Sequence, residues 1–316
     1  MASEIEALYY AQMEDDSVIC QLCPHYCHIQ VSTTGRCHAR KNIGGVLYTL
    51  NYGKVLAFAY DPIEKKPLKN FMPGTMIFSI GTFGCNLDCD FCQNHELVMA
   101  HPAFLNVTDY SNIKENTTGT NHNDDGYMDE AWVLTMAERE GSIGIAYTYN
   151  EPTIWYEYVY HMCQLTHAKG LKNVLVTNGF INEAPLKALL PYIDAMNIDL
   201  KASNESFYER FCGGRLDPVL STIALAAQHT HVEVTTLVID TLNSDSTEIE
   251  AIAKAIAEID PNIPLHLSRY FPNHRMTLPP TEAKTLKQAY EVAKRYLKYV
   301  YLGNMSLLEL MLLEDR

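Results

Sequence analysis

From Met76 onward, short apolar segments alternate with amphipathic stretches of helical periodicity, and this alternation constrains the fold more than any other feature of the chain. It is typical of repeated βα units, which build a parallel sheet. The predicted strands are Met76–Ile80, Ile143–Tyr147, Asn173–Thr177, Met196–Leu200, Val232–Ile239, Leu265–Ser268 and Tyr299–Leu302. The predicted helices are Asp129–Glu140, Thr153–Lys169, Glu183–Leu190, Ser221–Gln228, Thr247–Ile259 and Thr281–Leu297. Because six or seven such units fall short of the eight in a closed barrel, we predict an α/β fold, a partial (β/α)6 TIM-type barrel.

The chain divides into three predicted regions. Residues 1–75 lack the βα alternation and carry a cluster of cysteines, which predicts a small N-terminal metal-binding module. Residues 76–304 are assigned to the barrel and residues 305–316 to a C-terminal tail. Within the barrel, Tyr110–Gly126 is rich in Asn, Asp, Thr and Gly and has no periodicity, which predicts a surface insertion.

Charge and hydropathy exclude two classes of partner. The 24 Lys and Arg residues against 38 Asp and Glu residues give a net charge of −14, so a basic face for nucleic acid is not expected. No apolar run reaches membrane-spanning length, and Met1–Asp16 has neither a cationic start nor a continuous apolar stretch. We therefore expect a cytoplasmic protein that binds neither nucleic acid nor membranes.

Seven of the nine cysteines fall into two clusters, which indicates metal ligation in a reducing compartment. The second cluster, Cys85-x3-Cys89-x2-Cys92, directly follows a predicted strand and is flanked by glycines. Three thiolates in one tight loop can ligate three irons of a cubane cluster and leave the fourth iron open. The alternative is a zinc knuckle in which His95 supplies the fourth ligand.

The first cluster, Cys20-x2-Cys23-x3-Cys27-x9-Cys37, offers four thiolates. Four ligands suit either tetrahedral zinc or a fully ligated auxiliary iron–sulfur cluster, and the spacing alone does not choose between them. Free or disulfide-linked thiols are the third alternative. The remaining Cys163 and Cys212 are interpreted as ordinary buried thiols.

Further polar residues follow the ends of predicted strands, where parallel α/β folds build their sites. Glu151, Asn178, Asp199 and Lys201 occupy such positions. Glu151 could instead be an exposed carboxylate at a helix start, and Asp199 with Lys201 a surface ion pair.

Two later strands carry buried polar candidates. His266 and Ser268 share one strand face, so an inward His266 could contact cofactor or substrate, although a satisfied core histidine is an equal alternative. Glu233, between apolar neighbours, is a substrate-side candidate that would need a partner.

These motifs together resemble those of the radical S-adenosylmethionine (SAM) superfamily and, within it, the AmmeMemoRadiSam-system radical SAM enzymes, which are relatives of pyruvate formate-lyase activating enzyme. The similar segments are Asp61–Leu68, Phe71–Gly74, Cys92–Asn94, Tyr149–Pro152, Thr177–Gly179, Asp199–Lys201 and Tyr299–Asn304. The resemblance extends from Cys20 to Asn304.

The resemblance implies cofactors, site residues and an activity. It implies a [4Fe–4S] cluster on Cys85, Cys89 and Cys92, and SAM bound through Glu151, Asn178, Asp199 and Lys201. It implies reductive cleavage of SAM to a 5′-deoxyadenosyl radical that abstracts hydrogen from a protein or peptide, with an electron donor such as ferredoxin or flavodoxin. Alternatives are radical modification of a small molecule and aminocarboxypropyl transfer. A non-enzymatic electron carrier is disfavoured because it would not need Glu151, Asn178 or Lys201.

Overall fold

The computed structural model describes residues 5–100, 127–139 and 141–306. Its centre is an eight-stranded sheet whose strands lie in chain order. They are β7 (Ala57–Pro62), β8 (Met76–Gly81), β9 (Ser142–Tyr147), β10 (Lys172–Thr177), β11 (Ala195–Asp199), β12 (His231–Val238), β13 (Leu265–Arg269) and β14 (Val300–Gly303). Strands β8 to β14 are parallel, and the two edge strands of the sheet, β7 and β14, do not pair with each other. The predicted partial barrel is confirmed.

The helices connect the parallel strands and cover the outer face of the sheet. They are α1 (His95–Met99), α2 (Glu130–Ala137), α3 (Tyr156–Ala168), α4 (Glu183–Leu189), α5 (Glu205–Phe207), α6 (Leu216–Ala226), α7 (Ser246–Ile259) and α8 (Ala283–Ala293). Outward-facing apolar strand residues such as Phe78, Leu175 and Ile198 pack with the buried faces of these helices in one core. Each predicted strand and helix corresponds to an observed one, although α6 begins five residues before the predicted Ser221. None of the described helices is both long and apolar enough to cross a membrane.

The N-terminal residues form two small antiparallel sheets and the edge of the large one. One small sheet has the order β1 (Ile5–Glu6), β6 (Val46–Thr49), β5 (Arg40–Ile43); the other has β2 (Tyr10–Gln12), β3 (Val18–Cys20), β4 (His28–Ile29). Strand β7 also precedes residue 76, yet it pairs antiparallel with β8 along its whole length. The predicted domain boundary after residue 75 stays a prediction. The predicted C-terminal tail, residues 305–316, stays one too, because residues 307–316 lie outside the described residues. The predicted insertion Tyr110–Gly126 lies outside them as well.

The segment after β7 closes the interior of the barrel. Ile63 and Leu68 are fully buried against inward-facing residues of β8 to β11, separately from the main core. Asn197 of β11 donates a hydrogen bond of 2.9 Å to the carbonyl oxygen of Pro67. We call residues 63–70 the barrel floor, because they close the interior below the carboxyl ends of the strands.

Candidate active site

The predicted ligands of the cofactors meet in one cavity at the carboxyl ends of the parallel strands. This cavity has a volume of about 520 Å³. Its lining includes Cys85, Cys89, Cys92, Glu151, Asn178, Asp199 and Lys201. These side chains come from the ends of four neighbouring strands, β8 to β11, and parallel strands bring such ends to one edge. The structure therefore brings together residues that lie far apart in the sequence.

The cysteine loop is held by short contacts with its surroundings. The Gly84 N–H donates to the carbonyl of Val98 at 2.9 Å, and the Asn150 amide donates to the carbonyl of Gly84 at 3.0 Å. Gly84 has φ +86°, and a Cβ there would lie 2.6 Å from the Cys37 carbonyl oxygen. Glycine is therefore required at this position, both for its conformation and for the close packing of the N-terminal residues on the loop.

The electrostatic surroundings of the three thiols differ. Burial, with Glu151 adding a negative charge nearby, raises the pKa of the Cys85 thiol. A hydrogen bond with Cys212 lowers the pKa of Cys89, and the Lys201 ammonium acts in the same direction. All three motif cysteines are partly exposed and free of disulfides. They are accessible to a cofactor that binds in the cavity.

The three thiols fit a cubane cluster. Within residues 5–100, 127–139 and 141–306, no three Cys, His, Asp or Glu side chains surround one common ion position, and this holds for the N-terminal cysteines as well. A cubane cluster binds each thiolate on a different iron, so its ligands do not need to converge on one point. His95, the fourth ligand in the zinc-knuckle alternative, stacks on His274 with ring centroids 4.7 Å apart.

Glu151 is a buried carboxylate with three protein donors. Its Oε1 accepts from the Thr153 N–H at 2.9 Å and the Thr177 hydroxyl at 2.7 Å, and its Oε2 accepts from the Asn178 N–H at 2.7 Å. Only 1% of the residue is exposed, and burial raises the pKa of its carboxyl group. The alternative prediction that Glu151 is an exposed carboxylate at a helix start is therefore wrong about its exposure. Glu151 does, however, cap the 3-10 helix Pro152–Trp155.

Asn178, Asp199 and Lys201 lie around the same cavity. The Asn178 side-chain amide donates to the Cys85 sulfur at 3.7 Å and to Asn86 Oδ1 at 2.9 Å. Lys201 Nζ lies 2.8 Å from Asp199 Oδ2, with 12% of the lysine side chain exposed. Burial works against the charge of Lys201, but Asp199 and the neighbouring thiols raise its pKa. This ion pair is thus part of the cavity lining and not a surface pair.

His266 and Glu233 lie deeper in the barrel than the cavity. His266 Nε2 is 2.6 Å from Glu233 Oε2, and neither residue is among those that line the cavity. Ser268, the next inward position on β13, does line it. His266 therefore shares the predicted face with Ser268 but is not brought to the other candidate ligands. The reading as a satisfied core histidine fits this geometry.

The four N-terminal cysteines line a second, small cavity of about 20 Å³. Cys20 and Cys23 are buried, whereas Cys27 and Cys37 are partly exposed, and all four are free thiols. Burial raises the pKa of Cys23 to about 12, and the other three thiols affect it electrostatically. The structure thus brings the four predicted ligands together.

Two groups beside the predicted cofactor ligands were not assigned to the site from the sequence. Cys212 is fully buried and hydrogen-bonded to Cys89, and nothing in its local sequence signals this contact. Asp61, Lys66 and Tyr149 form a hydrogen-bonded group that also lines the cavity. All three lie in segments that carry the family resemblance, and this resemblance was the sequence feature that could have indicated a role for them.

The fold and the site define a class: a parallel β/α barrel with one open side, whose carboxyl edge combines three thiols with carboxylate, amide and ammonium ligands. Comparison with known proteins is more specific, since residues 79–256 match the Radical SAM superfamily. The chain belongs to the radical SAM superfamily, whose members bind a [4Fe–4S] cluster and SAM.

One relative and one solved structure illustrate the similarity. An uncharacterized protein of Methanocaldococcus jannaschii is 39% identical over 304 residues, which are 95% of this chain and 85% of the relative. SuiB of Streptococcus suis superimposes with a TM-score of 0.53 and 13% identity, over 75% of this chain and 50% of SuiB. At that identity SuiB supports the fold, and this chain spans about half of SuiB's length.

Proposed function

We propose that this protein is a radical SAM enzyme of the activating-enzyme-like, AmmeMemoRadiSam-system type that abstracts hydrogen from a protein or peptide. Cys85, Cys89 and Cys92 would hold the [4Fe–4S] cluster. When bound, the cluster and SAM supply the reductive C–S cleavage that yields a 5′-deoxyadenosyl radical. The observation that carries the proposal is the single cavity shared by the three thiols and the polar residues of β9 to β11.

The polar residues have the chemistry to bind the amino-acid part of SAM. Glu151 has three protein donors on two carboxylate oxygens, which leaves Oε2 able to accept a further bond from an ammonium. Lys201 can pair with a carboxylate while Asp199 holds its ammonium in place. Asn178 lies between the Cys85 sulfur and Glu151, so it would link the cluster ligand to the SAM site.

The test is anaerobic reconstitution followed by reduction in the presence of SAM. The wild-type protein should bind iron and form 5′-deoxyadenosine, and Cys89→Ala should abolish both. Cys163→Ala is the matched control, because Cys163 is a buried thiol on α3 outside the cavity. Product masses distinguish the radical route from aminocarboxypropyl transfer. A wild-type protein that binds iron yet forms no 5′-deoxyadenosine would contradict the proposal.

Two features bear on the size of the substrate. The unpaired sheet edges leave one side of the barrel open, which favours a polypeptide, and SuiB, which shares the fold, has been solved with its precursor peptide SuiA. The second candidate is a small molecule, favoured by a cavity volume within the usual range for small-ligand sites. Host extract from cells grown on deuterated medium, size-fractionated and incubated with unlabelled SAM, separates the two, because the abstracted deuterium ends in 5′-deoxyadenosine. Deuterated 5′-deoxyadenosine formed with polypeptide fractions supports the first candidate, and deuterated product formed only with metabolite fractions supports the second.

We also propose that the N-terminal cysteines hold a metal centre, and that it is a zinc ion. The four thiols share one small cavity, and four thiolate ligands suit a closed tetrahedral zinc site. The thiols would turn toward a common point when the ion binds. Arg40 Nη1 lies 3.7 Å from the Cys20 sulfur and would offset part of the thiolate charge.

Metal analysis tests this second centre separately from the first. Purified protein should contain about one zinc per chain. Cys27→Ala should lose zinc, whereas Cys163→Ala should retain it. Iron in place of zinc at this site, lost on Cys27→Ala, would show an auxiliary cluster instead.

A further inference from the structure

Three side chains from separate elements meet where the barrel floor borders the cavity. Lys66 of the barrel floor has its Nζ 2.7 Å from Asp61 Oδ2, at the end of β7. The Tyr149 hydroxyl, after β9, donates to the same Asp61 oxygen at 3.2 Å. Lys66 Nζ also lies 4.9 Å from the centre of the Tyr149 ring. All three residues line the cavity.

Lys66 is a buried cation whose N–H donors are not all used in hydrogen bonds. Only 4% of its side chain is exposed, and among the described residues Asp61 is its one hydrogen-bond acceptor. An ammonium has three N–H donors, and buried charges normally have their hydrogen bonds satisfied. Asp61 takes one donor and the Tyr149 ring face can accommodate another. At least one N–H is therefore available to an acceptor in the cavity.

The backbone at this group is strained as well. Tyr149 has φ +72°, in the left-handed region that residues other than glycine seldom adopt. Its carbonyl oxygen accepts a hydrogen bond of 2.5 Å from Asn94, just after the cysteine loop. Strained residues of this kind persist where the surrounding structure fixes them, and they are concentrated at functional sites. In this backbone conformation the Tyr149 ring lies over Lys66 and its hydroxyl donates to Asp61.

We propose that Asp61, Lys66 and Tyr149 form a substrate subsite that binds an anionic oxygen group, a carboxylate or a phosphate, of the molecule from which hydrogen is abstracted. This inference rests on the proposed function. Lys66 would donate its free N–H bonds to the anion, while Asp61 and Tyr149 hold the ammonium in position. A charged group bound at the floor would orient the rest of the substrate toward the three cysteines, which line the same cavity.

The test measures deuterium transfer to 5′-deoxyadenosine from the active fraction of a deuterated host extract, for wild type, Lys66→Gln and Lys187→Gln. Lys66→Gln should raise the KM for that fraction roughly 10- to 100-fold, since a hydrogen bond between charged groups is lost. Lys187→Gln is the control. It removes the same charge from a salt bridge with Glu183 outside the cavity, and the Lys187 side chain is 55% exposed, so KM should hardly change. Equal KM values for wild type and Lys66→Gln would overturn the subsite.

A second arm does not depend on any variant. The active fraction is treated either with methylating reagent, which neutralises carboxylates, or with phosphatase, before incubation with wild-type enzyme. Loss of deuterium transfer after one treatment supports the subsite and identifies the anion. Full transfer after both treatments overturns it. Wild-type protein that forms no 5′-deoxyadenosine at all would instead contradict the proposed function.

Discussion

Glu233 illustrates how single residues stabilise the barrel interior. The carboxylate is fully buried, and burial by itself would raise its pKa. His231, His266 and the backbone N–H groups of Lys69 and Asn70 all lie within 3.0 Å of its oxygens. These hydrogen bonds lower the pKa to about 2. Glu233 therefore fixes the barrel floor to β12 and β13, and the role inferred from geometry is structural.

The depressed pKa of Glu233 predicts a pH dependence of stability. Its contribution is fully present above the unfolded-state pKa near 4.5 and is lost as the pH falls toward 2. Glu233→Gln should lower the free energy of unfolding at pH 6 by about 3 kcal/mol, which corresponds to the shift in pKa. Urea unfolding of the metal-free protein measures it.

The same substitution should also flatten the decline in stability between pH 4.5 and pH 3. Glu183→Gln, an exposed carboxylate at the start of α4, is the control and should change little. A decline as steep in Glu233→Gln as in the wild type would show that another group titrates there.

At the scale of elements, the pairing of β9 with β10 depends on one glycine. Gly144 has φ +150°, and a Cβ on it would lie 2.0 Å from the Lys172 carbonyl oxygen of β10. This backbone contact has no flexible side chain that could move aside. Strand β9 ends at Tyr147, four residues before Glu151, so its alignment with β10 also affects the relative positions of Glu151 and Asn178.

Gly144→Ala is therefore expected to destabilise the protein by about 3 kcal/mol or more, because it combines backbone strain with a clash. The matched control is Gly141→Ala. Gly141 has φ +88°, but a Cβ there meets no atom of the described residues within 4 Å, so only the strain of about 1 kcal/mol should appear. Thermal or urea unfolding measures both, and equal losses would mean that the strand contact has no part in the effect.

At the scale of the whole molecule, a buried ion pair joins the N-terminal residues to the barrel. Arg40 of β5 pairs with Glu157 of α3, and the side chains are 1% and 5% exposed. Arg40 also donates to the Leu8 carbonyl at 2.8 Å, and Glu157 accepts from the Leu8 N–H at 2.8 Å. A charged contact next to Cys20 therefore joins the segment that carries the N-terminal cysteines to the barrel.

Breaking this pair should be costly, whereas replacing both partners should not. Arg40→Met leaves the Glu157 charge buried and should cost about 3–5 kcal/mol in urea unfolding, while the double variant Arg40→Met/Glu157→Met should regain much of it. Lys169→Met, which breaks a pair with Glu138 that is about half exposed, should cost less than about 1 kcal/mol. Additive losses in the double variant would show that the two residues act independently.

The sequence by itself determined the order of strands and helices, the cysteine loop and the strand ends that carry Glu151, Asn178 and Lys201. It could do so because hydrophobic periodicity and the parallel arrangement are set locally, and parallel strands bring their ends to one edge. Only the tertiary structure decided how deep a residue lies. A two-residue period predicts that His266 shares a face with Ser268, but not that it faces Glu233 below the cavity.

Contacts between distant segments could not be predicted from local sequence patterns either. Strand β7 joins the large sheet because it pairs with β8, which no feature of residues 57–62 alone requires. Cys212 meets Cys89, and Lys66 meets Tyr149, across more than 80 residues of chain in each case. Such contacts depend on how the barrel closes around its floor, and packing of the whole chain fixes that.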